Sequence, residues 1–293
     1  IPLRTIGPAT MSGRIVDLAV VESDVSTFYV ASATGGVWKT VDGGVTYEPI
    51  FQNQGTHSVG DIAVHQVDTA MVWVGTGERA SRQSSSWGDG VYCSIDGGET
   101  WEHVGLPESK HVGRIALHPE DPSTLFVAAM GHLWGPNEER GLFRSIDAGD
   151  TWERVLHVDE NTGAVDVAID PEDPTVVYAA TYQRRRRPFG FHGGGPGSGI
   201  WKSTDGGDTW TKLTDAGLEN GLPAGEMGRI GISIHRADPR IVYVSIEQGE
   251  RYNASTAYLE RDAGVYRSED RGETWEHMSD WNPRPMYASQ PLV

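Results

Sequence analysis

The sequence has little of what several binding and catalytic classes require. Its 293 residues include a single cysteine, Cys93, which excludes an internal disulfide framework. No run of about 18 apolar residues occurs, so the chain encodes no membrane-spanning helix. Basic residues number 24 against 41 acidic ones, and the formal net charge is −17. This balance disfavours nucleic acid and anionic membranes as partners, because binding to them depends on lysine and arginine.

Signals for metals, cofactors and helices are missing as well. The glycine run at 193–199 is followed by no Lys-Ser/Thr pair and no helix, so it does not predict a phosphate-binding loop. His132 and His192 have no further ligands at metal spacing, and we therefore predict neither a metal site nor a cofactor. Because helical periodicity is absent throughout, the sequence favours an all-β fold.

What the chain does contain is one phrase repeated five times, Ser/Thr-x-Asp-x-Gly-x-Thr-Trp/Tyr. Its aspartates are spaced by 51 to 65 residues, a period that predicts one four-stranded unit per repeat. They are Asp42, Asp96, Asp147, Asp205 and Asp270. We expect each carboxylate to accept hydrogen bonds inside a hairpin turn, where a following glycine supplies the positive φ. The closing aromatic residue should pack on the neighbouring repeat.

These units predict an all-β propeller of four-stranded antiparallel blades, five of them complete, in one domain spanning 1–293. The expected blades are 11–54, 58–106, 111–157, 164–214 and 227–279, and 280–293 would begin a sixth. An open propeller exposes an unpaired edge and an apolar blade face, so we expect the remainder of the propeller to lie outside this sequence. The alternative is a five-bladed ring closed on itself.

The repeated phrase resembles the Asp-box, or bacterial neuraminidase repeat, of sialidases, xyloglucanases and sortilin-type receptors. Longer stretches at 6–14, 35–39, 87–92 and 184–199 are similar to a branch of large exported bacterial repeat proteins that are called sortilin-like or glycosyl-hydrolase-like. The resemblance covers the whole chain and implies the propeller fold. It also implies an extracytoplasmic location, with any leader outside this chain, but no particular activity.

Charge alternates at one position of the predicted inner strands, the residue before the first apolar one. The five residues at this position are Arg14, Asp61, Arg114, Asp166 and Arg229. Because inner strands line the channel of a propeller, we expect a ring of inward-facing Arg–Asp pairs at its mouth. Such pairs either neutralise one another and seal the axis, or leave Arg229 or Arg14 to bind a ligand.

The loops between second and third strands should project from this same face, opposite the aspartate turns, and loops of this kind often carry function. Four aromatic residues in them predict stacking platforms for sugar rings or for side chains of a partner: Trp87, Trp134, Phe191 and Tyr252. Arg184, Arg185 and His192 are further candidate ligand-binding residues. The arginine run at 184–187 either pairs with acidic loops or binds an anionic ligand.

The loops also supply the candidate acid and base groups, Glu78, Asp89, Glu138 and Glu247. No motif pairs them at the separation that a glycosidase requires. We therefore expect an extracytoplasmic module that binds a polypeptide or a glycan through its loops without breaking a bond. The alternative is a glycoside hydrolase with these carboxylates in a cleft. It would be xyloglucanase-like rather than sialidase-like, because the Phe-Arg-Ile-Pro motif of sialidases is missing.

Overall fold

The computed structural model of the protein describes residues 14–248, 262–282 and 290–293. Within these residues the chain forms five four-stranded antiparallel sheets and one two-stranded hairpin, and no helix. Each four-stranded sheet is one blade, and its strands pair in chain order. The fourth blade departs from this order only because the small hairpin is inserted between its second and third strands.

The strand bounds, in chain order, are as follows. Blade one has β1 Ile15–Val20, β2 Phe28–Ser32, β3 Gly36–Thr40 and β4 Glu48–Pro49. Blade two has β5 Val59–Val64, β6 Val72–Thr76, β7 Val91–Ser94 and β8 Glu102–Gly105, and blade three has β9 Val112–Leu117, β10 Leu125–Ala129, β11 Gly141–Ser145 and β12 Glu153–Leu156. Blade four has β13 Thr162–Ile169, β14 Val177–Gln183, β17 Gly199–Ser203 and β18 Thr211–Lys212, with the hairpin β15 Arg185–Arg187 and β16 Gly190–His192. Blade five has β19 Met227–Ile234, β20 Val242–Gln248, β21 Gly264–Ser268 and β22 Glu276–Ser279.

Burial falls from the inner strands of a blade to its outer edge. The second strands are short apolar runs, and β6 and β10 are buried at every position, as expected for strands that are covered on both faces. The fourth strands begin with exposed residues, and β22 is exposed along its whole length. The first strands of consecutive blades, β1, β5, β9, β13 and β19, contact one another in turn. The blades therefore fan around an axis with their first strands innermost.

The hydrophobic core is divided into four clusters, and each lies between two consecutive blades. Val37 and Ile62 belong to the cluster between blades one and two, and Trp73 and Leu125 to the next one. Corresponding clusters join blades three and four and blades four and five. The predicted all-β propeller of four-stranded antiparallel blades is thus confirmed.

Glycines in the inner strands allow the blades to approach closely. A Cβ atom on Gly60 would overlap the carbonyl oxygen of Val112 in blade three, and one on Gly113 would overlap that of Val165 in blade four. Only a residue without a side chain fits where two backbones meet in this way.

Blades one and five are linked at one point near the axis. The Arg236 guanidinium at the end of β19 forms a two-pronged ion pair with Glu22, which follows β1. On the side of blade one that faces away from blade two, Ile15, Leu18 and Val20 are exposed. Half of the predicted start of a sixth blade at 280–293, residues 283–289, lies outside the described residues, as does the predicted platform Tyr252.

Candidate functional site

The two ends of the blades carry different chemistry. The loops after the second strands, residues 33–35, 77–90, 130–140 and 184–198, form what we call the loop face. They contact the connections between blades: Gly77 N–H donates to Ser58 O at 2.8 Å, and Gly88 N–H donates to Lys110 O at 2.7 Å. The repeated aspartate turns lie at the opposite end, where Gly97 N–H donates to Ala70 O at 2.9 Å.

The turn at Asp96 shows the chemistry of all five aspartate turns. One oxygen of the Asp96 carboxylate accepts the Ser94 hydroxyl at 2.7 Å and the Thr100 N–H at 2.9 Å, and the other accepts the Thr100 hydroxyl at 2.5 Å. The hydrogen bond from the Thr100 hydroxyl is the largest of the effects that lower the pKa of Asp96 to about 2. Because both carboxylate oxygens accept hydrogen bonds within the turn, the aspartates stabilise the hairpins.

The closing aromatic residues differ in where they anchor. Trp101 Nε1 donates to Ile50 O in blade one at 2.9 Å, and Trp152 Nε1 donates to Val104 O in blade two at 2.6 Å. In blades four and five the indole N–H bonds inside its own turn instead, as Trp210 Nε1 does to Gly207 O at 3.0 Å. The first two tryptophans thus tie neighbouring blades together by a hydrogen bond.

The charged centre of the channel is one arginine among three aspartates, and the predicted alternating ring of five is wrong. Arg114 Nη1 lies 3.2 Å from Asp17 Oδ2 and 3.5 Å from Asp61 Oδ1, and its Nε lies 3.5 Å from Asp166 Oδ1. Arg79, from the loop of blade two, donates to Asp61 at 2.9 Å. Blades one to four therefore each supply a group to this centre.

The register of β1 against β2 explains why Arg14 is not part of it. Asp17 pairs with Ala31 across β1 and β2, and Asp61 pairs with Gly75 in the same position of blade two, each just after a bulge. Asp17 therefore occupies the ring position, three residues after the predicted one. Arg14 instead binds Glu78 on the loop face, with Nη2 2.5 Å from Oε1.

Arg229 is also displaced from the predicted ring. Gly231 pairs with Ser245 in blade five and follows its bulge. The Arg229 side chain points to the loop face, where Nη1 donates to Arg79 O at 2.8 Å.

The sequence contains a signal for Asp17 that was missed. Asp17, like Asp61, is an acid directly before an apolar residue, and alignment at Leu18 rather than at Ile15 would have found it.

The aspartates of the centre also join successive blades through the backbone. Asp61 Oδ2 accepts the N–H of Ile115 at 2.7 Å, and Asp166 Oδ2 accepts the N–H of Ile232 at 2.8 Å. Burial raises the pKa of both carboxyls, and the charge of Asp17 raises that of Asp61 further. Arg114 and Arg79 offset part of the negative charge of the three aspartates, and the contacts of this centre link the inner strands of successive blades.

The four candidate acids have different surroundings. Glu78 is fully buried and paired with Arg14, and Glu247 is buried and accepts the Arg229 N–H at 3.1 Å. Asp89 is half-buried and accepts the Tyr92 hydroxyl at 2.8 Å, and burial, followed by this hydrogen bond, raises the pKa of Tyr92 to about 12. Glu138 is exposed. Only Asp89 combines a fixed carboxylate with access to solvent.

Three aromatic side chains stand out from the loop face. Trp87 is 70% exposed, Trp134 is 47% exposed and Phe189, at the tip of the β15–β16 hairpin, is 81% exposed. Phe189 was not among the predicted platforms, although it lies in the same loop as Phe191. Phe191 packs instead under the Arg186 guanidinium, 4.4 Å from the ring centroid, while His192 is exposed.

The run of arginines in blade four is largely buried. Arg184 Nη1 donates to the Ser81 hydroxyl at 3.0 Å, and Arg186 Nη2 donates to Ser81 O at 2.6 Å. Arg185 donates to Asn161 Oδ1 at 2.7 Å. Arg184 and Arg186 thus both bond to Ser81, and the two interpretations of this run, pairing with acidic groups and binding of an anionic ligand, remain predictions.

The described residues also bear on whether the chain could hold a metal ion or span a membrane. In the part of the chain that the structure describes, no three His, Cys, Asp or Glu side chains group as metal ligands. None of the described segments is a helix of the length and hydropathy that a membrane span requires.

Comparison with known proteins places the chain in a family. The family described as "Sortilin, neurotensin receptor 3," matches residues 89–240, which is more than half of the sequence. The chain belongs to the sortilin–Vps10 family. The matched segment of this sortilin–Vps10 chain begins at Asp89, includes Trp134 and the arginine hairpin of blade four, and ends before β20.

The sortilin–Vps10 chain is also similar to xyloglucanases. It is 27% identical over 208 residues to xyloglucanase Xgh74A of Acetivibrio thermocellus, a match that covers 64% of the chain and 23% of that protein. It is 25% identical over 293 residues to the oligoxyloglucan-reducing end-specific xyloglucanase of Emericella nidulans, covering 86% of the chain and 32% of that protein. The chain therefore spans about a quarter to a third of the length of these relatives.

Solved structures agree on the fold. The GH74 enzyme of Niastella koreensis superposes with a TM-score of 0.63 at 19% identity, over 90% of the sortilin–Vps10 chain and 38% of that enzyme. The GH74 xyloglucanase of Xanthomonas campestris superposes with a TM-score of 0.60 at 18% identity. At this identity the likeness extends to the propeller and not to the activity.

Proposed function

We propose that this chain is part of a glycan-acting propeller protein, and that its loop face binds a polysaccharide which the complete protein hydrolyses. The observation that carries the proposal is the similarity to xyloglucanases from several organisms, which reaches 86% of the chain in one of them. Xyloglucan or a related β-glucan is the substrate class that these names suggest. We therefore favour hydrolysis of a glycan over binding alone.

The loop face has side chains that suit a sugar polymer. Trp87 and Trp134 present large, rigid, amphipathic rings to solvent, and such rings stack on the apolar faces of sugars at little cost in conformational entropy. Polar side chains lie between the loops that carry them: Lys110 Nζ donates to Glu108 Oε1 at 3.1 Å, and Glu108 Oε2 lies 3.3 Å from His132 Nε2. A rim of this kind can bind sugar hydroxyls beside the rings.

Asp89 is the acid that we assign to the chemistry. It lies two residues after Trp87, and its position is fixed by the Tyr92 hydroxyl and by Thr76, whose Oγ1 accepts the Asp89 N–H at 2.9 Å. Glycoside hydrolysis uses two carboxyl groups, about 5 to 9.5 Å apart. Glu78 and Glu247 are buried and cannot serve as the partner of Asp89, which leaves Glu138, in the loop of blade three, among the candidate acids.

The second candidate function is binding of a polypeptide or glycan without hydrolysis. The burial of Glu78 and Glu247 favours it, since buried acids cannot reach a polymer at the surface. Either function would place the protein outside the cytoplasm, where polysaccharides are found. We also assign the aspartate turns to the Asp-box type, on the strength of the repeated hydrogen bonds at Asp96 and its counterparts.

The experiment uses the full-length protein with xyloglucan and its oligosaccharides, and measures binding by calorimetry and hydrolysis by release of reducing ends. We expect Trp87→Ala and Trp134→Ala to weaken binding, while Tyr47→Ala, an aromatic change on the opposite face, leaves it unchanged. Asp89→Asn should retain binding and lose hydrolysis. Binding without turnover in the wild type would favour the second candidate, and absence of glycan binding would refute both glycan functions.

A further inference from the structure

Four arginines are buried together beneath the loop of blade two. They are Arg140, Arg184, Arg186 and Arg229, and each is less than one-tenth exposed. They come from blades three, four and five, and the fully buried Ser81 of blade two lies against two of them. Burying one guanidinium is costly unless its charge and its N–H groups are satisfied, so a group of four requires a physical explanation.

Arg184 has an open edge. Its Nη1 donates to Ser81, but its Nε and Nη2 have no hydrogen-bond partner among the described residues, and both atoms are shielded from solvent. The Nε and Nη2 N–H groups point in nearly the same direction, and they form the edge with which arginine binds both oxygens of a carboxylate. The empty side of Arg184 is therefore the side suited to a carboxylate.

Positive charge surrounds Arg184. Burial is the largest cause that lowers the pKa of Arg184 to about 9, and the positive charges of Arg140, Arg229 and Arg186 contribute in the same direction. Of the buried carboxylates nearby, Glu78 pairs with Arg14 through Oε1 and Glu247 accepts the backbone N–H of Arg229 through Oε2, and neither is bonded to Nε or Nη2 of Arg184. An anion placed at this edge would pair with both of these atoms.

The loop at 79–87, which we call the cap, contacts Arg184 through Ser81. It closes on itself, because Glu78 N–H donates to Ser86 O at 2.9 Å and the Ser85 hydroxyl donates to Ala80 O at 2.5 Å. Ser81 attaches the cap to Arg184 and Arg186, and residues 83 and 84 at its tip are exposed. The cap is also tied to the blades, by Arg79 to Asp61 and by the Ser58 hydroxyl to Ser86 O, so exposing Arg184 requires these contacts to open.

We infer that Arg184 and its neighbours form a carboxylate-binding site under this cap, and that the ligand is a uronate residue of an acidic glycan. The carboxylate part stands on the open guanidinium edge alone. The assignment to a sugar rests on the glycan function proposed above. Binding would form two charge-assisted hydrogen bonds to Nε and Nη2, in place of two buried donors that have no partner in the closed state.

The test compares Arg184→Gln with Arg187→Gln in the full-length protein. Arg187 lies on the same hairpin and is exposed, so it is the matched control. Glucuronate, glucose and sulfate are titrated at constant ionic strength, with binding measured by calorimetry and by thermal shift. We expect glucuronate to stabilise the wild type and Arg187→Gln, and Arg184→Gln to bind it at least about tenfold more weakly, the factor for a lost charge-assisted bond.

A second readout separates a binding role from a structural one. If Arg184 is an uncompensated buried cation, Arg184→Gln should be at least as heat-stable as the wild type without ligand. Hydrogen exchange of the wild-type amides at 79–86 should change with glucuronate and not with glucose, which tests the cap even if a variant fails to fold.

Three results would overturn the site: an equal response to glucose or sulfate, an unchanged affinity in Arg184→Gln, or unchanged exchange in the cap. The site and the proposed function fail separately. Glucuronate binding in a protein that leaves xyloglucan intact supports the site and counts against hydrolysis of that polymer. Hydrolysis without glucuronate binding does the reverse.

Discussion

Replacing Arg114 by methionine tests whether one cation holds the centre of the propeller. The side chain lies within 3.5 Å of carboxylate oxygens from Asp17, Asp61 and Asp166, which belong to three other blades. Methionine keeps much of the volume and removes the charge. Three carboxylates, two of them buried, would then face one another with only Arg79 left as a counter-ion to Asp61.

The expected cost is large because the partners are buried. Removing one member of a buried ion pair costs about 3–5 kcal/mol, since the charge left behind is uncompensated. For domains of 150–250 residues each kcal/mol lowers Tm by about 2–4 °C, so Arg114→Met should lower it by about 6–20 °C. Arg144→Met is the matched control, because Arg144 also contacts two carboxylates, of Glu153 and Asp208, but both are well exposed. Pairs of that kind contribute about 1 kcal/mol or less.

The pH dependence of the same variant checks the mechanism. A carboxyl whose pKa is raised by folding binds its proton more tightly in the folded state. The stability that this proton contributes is present below the ordinary pKa, about 3.9, and is lost as the pH rises through the raised value. Asp61 and Asp166 are both raised, and loss of Arg114 should raise them further. The difference in unfolding free energy between wild type and Arg114→Met should therefore shrink as the pH falls from 7 towards about 4.

The assay is denaturant unfolding followed by tryptophan fluorescence at several pH values. Equal losses in Arg114→Met and Arg144→Met would refute the idea that burial sets the strength of this centre. A difference that stays constant with pH would show that the three aspartates do not carry the effect.

Three further predictions concern the scaffold. Trp73→Ala, which empties a fully buried site between blades two and three, should cost about 3–5 kcal/mol of unfolding free energy, whereas Trp281→Ala at an exposed position should change it by less than about 0.5 kcal/mol. Gly113→Ala should destabilise by about 1–3 kcal/mol or more, because the new methyl group meets the backbone of the next blade, and Gly135→Ala, with open space around it, should be neutral in the same denaturant titration. Asp96→Ala should lower Tm at pH 7, and Asp96→Asn should lower it less, because an amide keeps one acceptor oxygen for the turn. The pKa of Asp96 is lowered to about 2, so the contribution of its charge is present above about pH 4 and is lost as the pH falls towards 2, and the Tm difference between wild type and Asp96→Ala should decrease over that window.

Most of the fold could be predicted because its signals are local. The spacing between Asp42 and Asp96 fixes the length of a blade, and the turn residues around each aspartate fix one hairpin. A four-stranded blade with alternating directions then places turns and loops at opposite ends. None of these steps requires knowledge of a contact between residues far apart in the sequence.

The channel centre could be predicted only in part, because the position of β1 that faces inward is not the one before its first apolar residue. Asp61, Arg114 and Asp166 agree with the structure, since blades two, three and four share one register. In blade one the apolar pair Ile15 and Val16 precedes Asp17, and alignment at Ile15 therefore selects Arg14. A slip of this kind moves a charge from the axis to the loop face, and it turns a predicted ring of alternating charges into one cation among three acids.

The arginine cluster could not be predicted from the sequence, for a different reason. Arg184 meets Ser81 across 103 residues, and Arg229 meets the carbonyl of Arg79 across 150. These contacts are made by long loops from different blades, and no sequence periodicity predicts where such loops meet. The same freedom allows loops on a fixed scaffold to bury groups at a cost in stability. Where a guanidinium edge is buried with no partner among the described residues, as in Arg184, a ligand that supplies acceptor oxygens would offset that cost, and this is why we propose a site there.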